Sequence, residues 1–315
     1  KQPPLTGPKS SFFQHFQPQT TSNAHQTPPP MLPRPLLRVV RFDLAKTTAP
    51  PIHIFEQLRL EEALYRADSH NWLLINDGGL ARPQPSVVLG ISGKPHQMCH
   101  AARVKQERVP LYRRFTGGGT VVVGKGTTFV SFIGNKTSLP EQCTKGPREL
   151  MKWSGEWYSA ALHRCGVDVN AANSKRHTFA LRENDYVLGN RKFAGNAQGL
   201  SRERFVHHTS ILWNFKTEDM NLLQNPDKQP EYRQHRDHHE FLIPLSETMK
   251  DQQALPEALI QEMADGHGFD IENIDVEDNH GMFVDLLSQK HHKSSSSVNM
   301  DNVKLEGYPY VDQRW

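Results

Sequence analysis

The chain has 315 residues, 36% of them hydrophobic, enough for one large domain or two modest ones with a proper core. Its 37 basic and 34 acidic residues leave a formal charge of +3, which argues against a dedicated nucleic-acid or polyanion binder, and no run approaches the ~20 apolar residues of a membrane-spanning helix. Cys99, Cys143 and Cys165 lie far apart without a C-x-x-C pair, so neither a disulfide framework nor a structural zinc site is indicated, and a reducing compartment fits best.

Eleven of the 22 prolines fall within the first 51 residues, and the first 42 residues hold no Asp or Glu. That composition resembles an organellar transit peptide or its remnant, which points to a mitochondrion or plastid and otherwise leaves the cytoplasm; residues 1–36 serve equally well as an ordinary Pro-rich tail unable to bury enough surface to fold. Folded sequence starts near Leu37. The β-branched stretch 37–42 predicts a strand, and 54–68 places apolar residues at helical spacing with Glu and Arg between them. Short apolar runs at 72–75 and 87–91 read as strands, and 98–107 as a helix.

From 111 to 133 the order is strand, glycine turn, strand, simplest as a hairpin around the glycines. Residues 148–164 read as a helix stopped by Gly166, with strand character resuming at 167–169. A second hairpin is expected over 185–197, turned at Leu188-Gly189-Asn190-Arg191, followed by a strand over 205–215. A weak helix at 255–264 and a flexible serine run at 294–297 complete the chain. The order predicts an α+β fold: a sheet core over 37–250 and a small, partly flexible C-terminal appendage over 251–315.

Three stretches carry the chemistry. In Arg113-Arg114-Phe115-Thr116-Gly117-Gly118-Gly119-Thr120, three glycines leave backbone N–H groups open to wrap an anion, and the arginines add charge-assisted donors; a plain tight turn is the competing reading. In Asn184-Asp185-Tyr186-Val187-Leu188-Gly189-Asn190-Arg191-Lys192-Phe193-Ala194-Gly195-Asn196-Ala197-Gln198, Lys192 precedes small residues that let a ligand lie against the backbone, although a strand lysine is more often merely solvated. Phe205-Val206-His207-His208-Thr209-Ser210-Ile211-Leu212 starts an apolar strand with paired histidines, one of which must face inward. A zinc site at His235, His238 and His239 is the poorer reading of those three, since adjacent histidines in a charged loop are usually solvated.

R-R-F-T-G-G-G-T-V resembles the R-R-x-S-G-G-G-A-V signature of lipoate-protein ligases, N-D-Y-V-L-G-N-R-K-F-A-G-N-A-Q resembles their lysine segment, and H-H-T-S-I-L their H-H-G-T-L-L. Three motifs in order, over about a hundred residues, are far more specific than any one alone. Pro230-Glu231-Tyr232-Arg233 and Arg236-Asp237-His238-His239-Glu240-Phe241 are similar to a Y-R-x-x-R-x-H-x-x-F stretch in some ligase-like members. The resemblance implies the biotin/lipoate-ligase catalytic fold, a mixed, largely antiparallel sheet flanked by helices. It also implies an enzyme that joins ATP and lipoate into lipoyl-AMP and passes the lipoyl group to a lysine of an acceptor. The acceptors implied are lipoyl domains of 2-oxoacid dehydrogenase E2 subunits or the glycine-cleavage H protein, with no nucleic acid and no membrane involved.

By the same resemblance Lys192 is the catalytic cation, and Arg114, Gly117, Gly118, Gly119, Thr120, Gly195, Ala197, His208 and Ser210 line the substrate pocket. Asn184 and Asp185 contact nucleotide, Asp185 also a Mg²⁺ ion. Thr116, Thr120, Asn196 and Thr209 depart from the family's Ser, Ala, Ser and Gly. The first rival is a transferase taking a pre-activated lipoyl or octanoyl group, either by Lys192 alone or by a cysteine thioester, for which the chain has Thr178-Phe179-Ala180 where relatives place their cysteine. The others are a biotin ligase, whose arginine-rich loop is absent, and a binding module without turnover.

Overall fold

The computed structural model describes residues 33–42, 52–76, 84–169, 177–225, 229–275, 278–288 and 296–297. The Pro-rich tail up to residue 32 lies outside them, and with it the transit-peptide expectation. In chain order the elements are β1 (Leu36–Phe42), α1 (Ile54–Ala67), β2 (Asn71–Asn76), β3 (Ser86–Leu89), α2 (Pro95–Met98), α3 (Ala101–Gln106), β4 (Leu111–Arg113), β5 (Val121–Val123) and β6 (Thr127–Asn135). They continue as α4 (Pro147–Arg164), β7 (Phe179–Arg182), β8 (Asp185–Leu188), β9 (Arg191–Leu200), β10 (Arg204–Leu212), α5 (Thr217–Met220), α6 (His238–Phe241), α7 (Ala254–Asp265), β11 (Asp270–Asn273), α8 (His280–Ser288) and β12 (Ser296–Ser297).

The main sheet runs β11-β1-β2-β6-β10-β9-β8-β7, antiparallel except where β1 pairs in parallel with both β2 and β11. Both of its faces are covered. Leu37, Val39, Leu73 and Ile75 point to the side of α4 and α7, where Trp153 and Trp157 stack 5.7 Å apart, whereas Val40, Phe42, Trp72 and Leu74 point toward α1 and α8. This explains why β2 reads as a continuous apolar run: all six of its residues are buried, as are Leu37, Val39, Val40 and Phe42 of β1, at about 1.5–3 kcal/mol for each large side chain, while Arg38 and Arg41 of β1 stay partly exposed. The stretch after Lys250 is short and packs back on the domain, α7 against α4, β11 beside β1 and α8 against α1. Among the described residues no helix is long and apolar enough to cross a membrane.

Local signals set the helix ends. Glu56 accepts from the His53 N–H at 3.4 Å while the His53 ring accepts from the Phe55 N–H at 3.2 Å, opening α1. Gly166 at φ +78° closes α4, with its N–H on the His163 carbonyl at 2.9 Å and that of Val167 on Leu162 at 3.0 Å.

Three expectations are corrected. The glycine segment is not a hairpin: β4 and β5 lie on opposite sides of β3, parallel and antiparallel to it, so the chain from 114 to 120 arches across a small second sheet. The hairpin rule fails because a strand from earlier in the chain occupies the place between the two arms. Residues 167–169 form no strand. Ser296 and Ser297, read as part of a flexible run, pair with Arg113 and Tyr112 as β12, and the rest of that run lies outside the described residues.

Candidate functional site

The second hairpin forms as expected, with Gly189 at φ +65° in its turn. It carries Asp185 on β8 and Lys192 on β9, and a register shift at Tyr186/Val187 brings them together: the Lys192 Nζ lies 2.8 Å from Asp185 Oδ1. The other oxygen, Oδ2, accepts from the Tyr232 hydroxyl at 2.7 Å. Gly195 makes room for the lysine. A Cβ there would sit 3.0 Å from Nζ and 3.1 Å from Cε, so the ammonium lies across the bare backbone of its own strand.

The glycine arch lies over the next part of β9. Gly118, at φ +99°, approaches so closely that a Cβ would stand 3.2 Å from Ala197 Cβ and 2.8 Å from Arg114 Nη2, while Gly117 and Gly119 face open space. Arg114 is buried and grips the arch, its Nη2 donating to the carbonyls of Gly117 at 2.8 Å and Gly119 at 2.7 Å. Burial lowers its pKa to about 10, partly countered by the charge of Glu61, so it stays protonated at neutral pH. Beneath the arch a buried chain of polar groups runs from α1 to the loop. Glu61 Oε2 lies 2.8 Å from His208 Nδ1, and His208 Nε2 lies 2.9 Å from the Thr116 hydroxyl. Glu61 Oε1 accepts from Ser131 at 2.5 Å and Gln57 at 2.9 Å.

These groups surround one cavity of about 810 Å³, within the range of roughly 300–1,000 Å³ usual for small-molecule sites. Lys192, Arg114, Gly117 to Thr120, Asn184, Asp185, Gly195, Ala197, His208 and Ser210 all line it, whereas His207 and the zinc candidates His235 and His239 do not. Its apolar wall includes Met98, Val121, Phe129, Met220 and Leu223. Arg233 and His238 also line the cavity; the sequence showed their motif, and His238 as a poor zinc candidate, but assigned neither to the pocket. Sequence reasoning also missed Glu61, which a helical pattern reads as a solvated position. The expectation that one of the paired histidines faces inward understates the result: both are buried, because the sheet is covered on both faces. His207 faces Tyr186 and Gln198, and burial depresses its pKa to about 3, so it is neutral.

A metal cage does not fit. Among the described residues no three His, Cys, Asp or Glu side chains converge as a metal site, and both oxygens of Asp185 already have partners. Asp185 can offer at most one ligand, to an ion held mainly by other groups. No cysteine lines the cavity; Cys165 belongs to the end of α4, and burial raises its thiol to about 11.

A glycine arch, a strand lysine and a buried histidine around one acyl-sized cavity on a mixed sheet are the marks of an acyl-handling ligase or transferase domain. Residues 53–267 match the lipoyl protein ligase A/B catalytic domain family, and the chain belongs to that family. A relative, the inactive lipoate–protein ligase 2 of Plasmodium falciparum, is 29% identical over 300 residues, covering 80% of this chain and 77% of its own. Two solved structures share the fold. A bi-partite lipoate protein ligase from Thermoplasma acidophilum, described with its E2 lipoyl domain, has a TM-score of 0.59 at 18% identity, over 82% of this chain and 93% of that one. Lipoate-protein ligase A bound with ATP has a TM-score of 0.58 at 16% identity, over 82% and 96%.

Proposed function

We propose that this chain is a lipoate-protein ligase, joining lipoate to ATP and passing the lipoyl group to a lysine of a lipoyl domain. One observation carries the reading: the Lys192 ammonium and the open faces of Gly117 and Gly119 border the same cavity, whose apolar wall suits an acyl chain. The ATP bound to a structural relative and the E2 lipoyl domain described with another support the nucleotide and the acceptor class. In the first step a lipoate carboxylate oxygen bonds to the α-phosphorus, and the bond to the β-phosphate bridging oxygen breaks, releasing pyrophosphate. In the second the acceptor amine bonds to the acyl carbon, AMP leaves, and the amine loses a proton.

Negative charge gathers at the α-phosphate in the first step and at the acyl oxygen in the second. Lys192, held by Asp185 and largely withdrawn from solvent, is preorganised to stabilise both. Arg114 acts by shaping the arch, since its donors are on the loop carbonyls. His208, Ser210, Thr120 and Ala197 line the acyl chamber, and Asn184 borders the nucleotide. Mg²⁺, carried in on the nucleotide, would neutralise the departing pyrophosphate, with Asp185 as its one protein ligand.

Mass spectrometry of a lipoyl domain incubated with this protein, lipoate, ATP and Mg²⁺ tests the reading. A lipoyl mass gain is expected, falling at least about a hundredfold with Lys192→Ala, the scale of losing a preorganised charge donor. Equal gains with both proteins would refute the role of Lys192. The relative named inactive favours a second reading, transfer of a group activated elsewhere, with no adenylation by this chain. A gain from supplied lipoyl-AMP but none from lipoate plus ATP would select it, and octanoyl-carrier protein without ATP tests thioester transfer.

A further inference from the structure

Part of the cavity wall comes from residues 229–242, where Arg233, His238 and Phe241 face it. Arg233 is 5% exposed. Its Nε donates to the Arg236 carbonyl at 2.9 Å and its Nη2 to Asn225 Oδ1 at 2.6 Å, and its guanidinium lies 4.7 Å from the centre of the Phe241 ring. All of these partners are neutral. They fix the fork in place without cancelling its charge.

The carboxylates around it accept hydrogen bonds from other groups and none is hydrogen-bonded to Arg233, although the charges of Asp185 and Asp237 still act on it. Asp185 pairs with Lys192 and accepts from Tyr232, Asp237 accepts from the Glu240 N–H at 2.8 Å, and Glu183 accepts from the Glu231 N–H at 2.8 Å. Arg236 adds a second positive group, 5.5 Å from the same Phe241 ring. His238 is held neutral, its pKa lowered to about 4 by burial and by the charge of Arg233. Arg233 thus presents a cation to the cavity on the side of residues 229–242, with the Glu183 carboxylate also on the lining and Asp185 between the Tyr232 hydroxyl and the Lys192 ammonium.

We propose that Arg233 binds the β- and γ-phosphates of a nucleoside triphosphate, leaving Lys192 to the α-phosphate and the acyl group; this rests on the ligase reading above. An acyl adenylate carries one phosphate and needs only the lysine end. A triphosphate brings two more, and those are the ones that depart as pyrophosphate. Arg233 thus serves nucleotide capture and the first half-reaction, and is idle in transfer from a finished adenylate.

Calorimetric titration of ATP, AMP and pyrophosphate into the full chain, Arg233→Gln and Arg233→Lys tests this. The unsubstituted protein should bind ATP more tightly than AMP, and Arg233→Gln should weaken ATP by on the order of ten- to a hundredfold, the worth of a charge-assisted pair. Pyrophosphate should weaken with it, AMP should change less than about twofold, and Arg233→Lys, which keeps the charge but loses the fork, should fall between. Transfer from supplied lipoyl-AMP should be unchanged in Arg233→Gln while its pyrophosphate release from lipoate and ATP falls in step with ATP affinity. Undiminished ATP affinity in Arg233→Gln, equal weakening of ATP and AMP, or no preference for ATP in the unsubstituted protein would each overturn the assignment. If ATP is preferred through Arg233 but no pyrophosphate ever forms, the assignment stands and the ligase reading falls; if Arg233→Gln adenylates normally, the reverse holds.

Discussion

Three glycines in a row do unequal work. Gly118 sits at φ +99° with Arg114 and Ala197 in the space where a Cβ would go, whereas Gly117 and Gly119 have nothing within 4 Å. Gly118→Ala should therefore strain the arch by about 1–3 kcal/mol and lower the thermal midpoint, while Gly119→Ala should stay within roughly 0.5 kcal/mol. Thermal unfolding of the two variants side by side checks this, and equal midpoints would show that the arch tolerates a side chain throughout. The need for bare backbone was legible from the triplet alone. Which glycine bears the constraint was not, because that depends on β9 and on Gly90, whose own Cβ would stand 2.3 Å from the Gly118 carbonyl oxygen.

Helix α1 is joined to the arch by a polar path through the middle of the protein. Glu61 on the helix meets His208 on β10, and His208 meets Thr116 at the foot of the loop. Removing the carboxylate by Glu61→Ala would leave Ser131, Gln57 and His208 without their acceptor in a dry interior, and would strip buried Arg114 of a counter-charge. A loss of about 3–5 kcal/mol is expected, read as a shifted urea midpoint with little change in slope. A change below ~1 kcal/mol would mean the path is ornamental. The helix itself was legible from apolar spacing, and the β8–β9 hairpin from its Leu188-Gly189-Asn190-Arg191 turn. Glu61 was not, since a glutamate between apolar positions reads as solvated until its partners, 70 and 147 positions away, are in place.

Across the whole molecule, covering both sheet faces forces polar groups of β10 into the interior and ties stability to pH. His207 is neutral when folded, with a pKa of about 3, against about 6.5 in an unfolded chain. Its contribution is complete above pH 6.5 and declines as pH falls toward 3, because the unfolded state takes up the proton first. Each such imidazole adds a slope of about 1.4 kcal/mol per pH unit in that window. Denaturant midpoints between pH 7 and 5 should fall, and His207→Gln should flatten the decline by close to one proton. An unaltered slope in that variant would place the proton uptake elsewhere, His238 being the next group with a lowered pKa. The strand inventory was largely legible, as were the residues that meet at the cavity. Strand order was not, for alternation and turn chemistry record neighbours in sequence, whereas β3 lies between β4 and β5, and β1 between β2 and β11.

That last pairing has a consequence in time. Arg38 on β1 meets Glu272 on β11, 234 positions downstream, at 2.9 Å. At about 5–20 residues per second, a ribosome takes roughly 10–50 s to make the intervening chain. Throughout that interval the first strand presents an unzipped flank to other nascent chains, so exposure to aggregation is set by translation speed and chaperone cover.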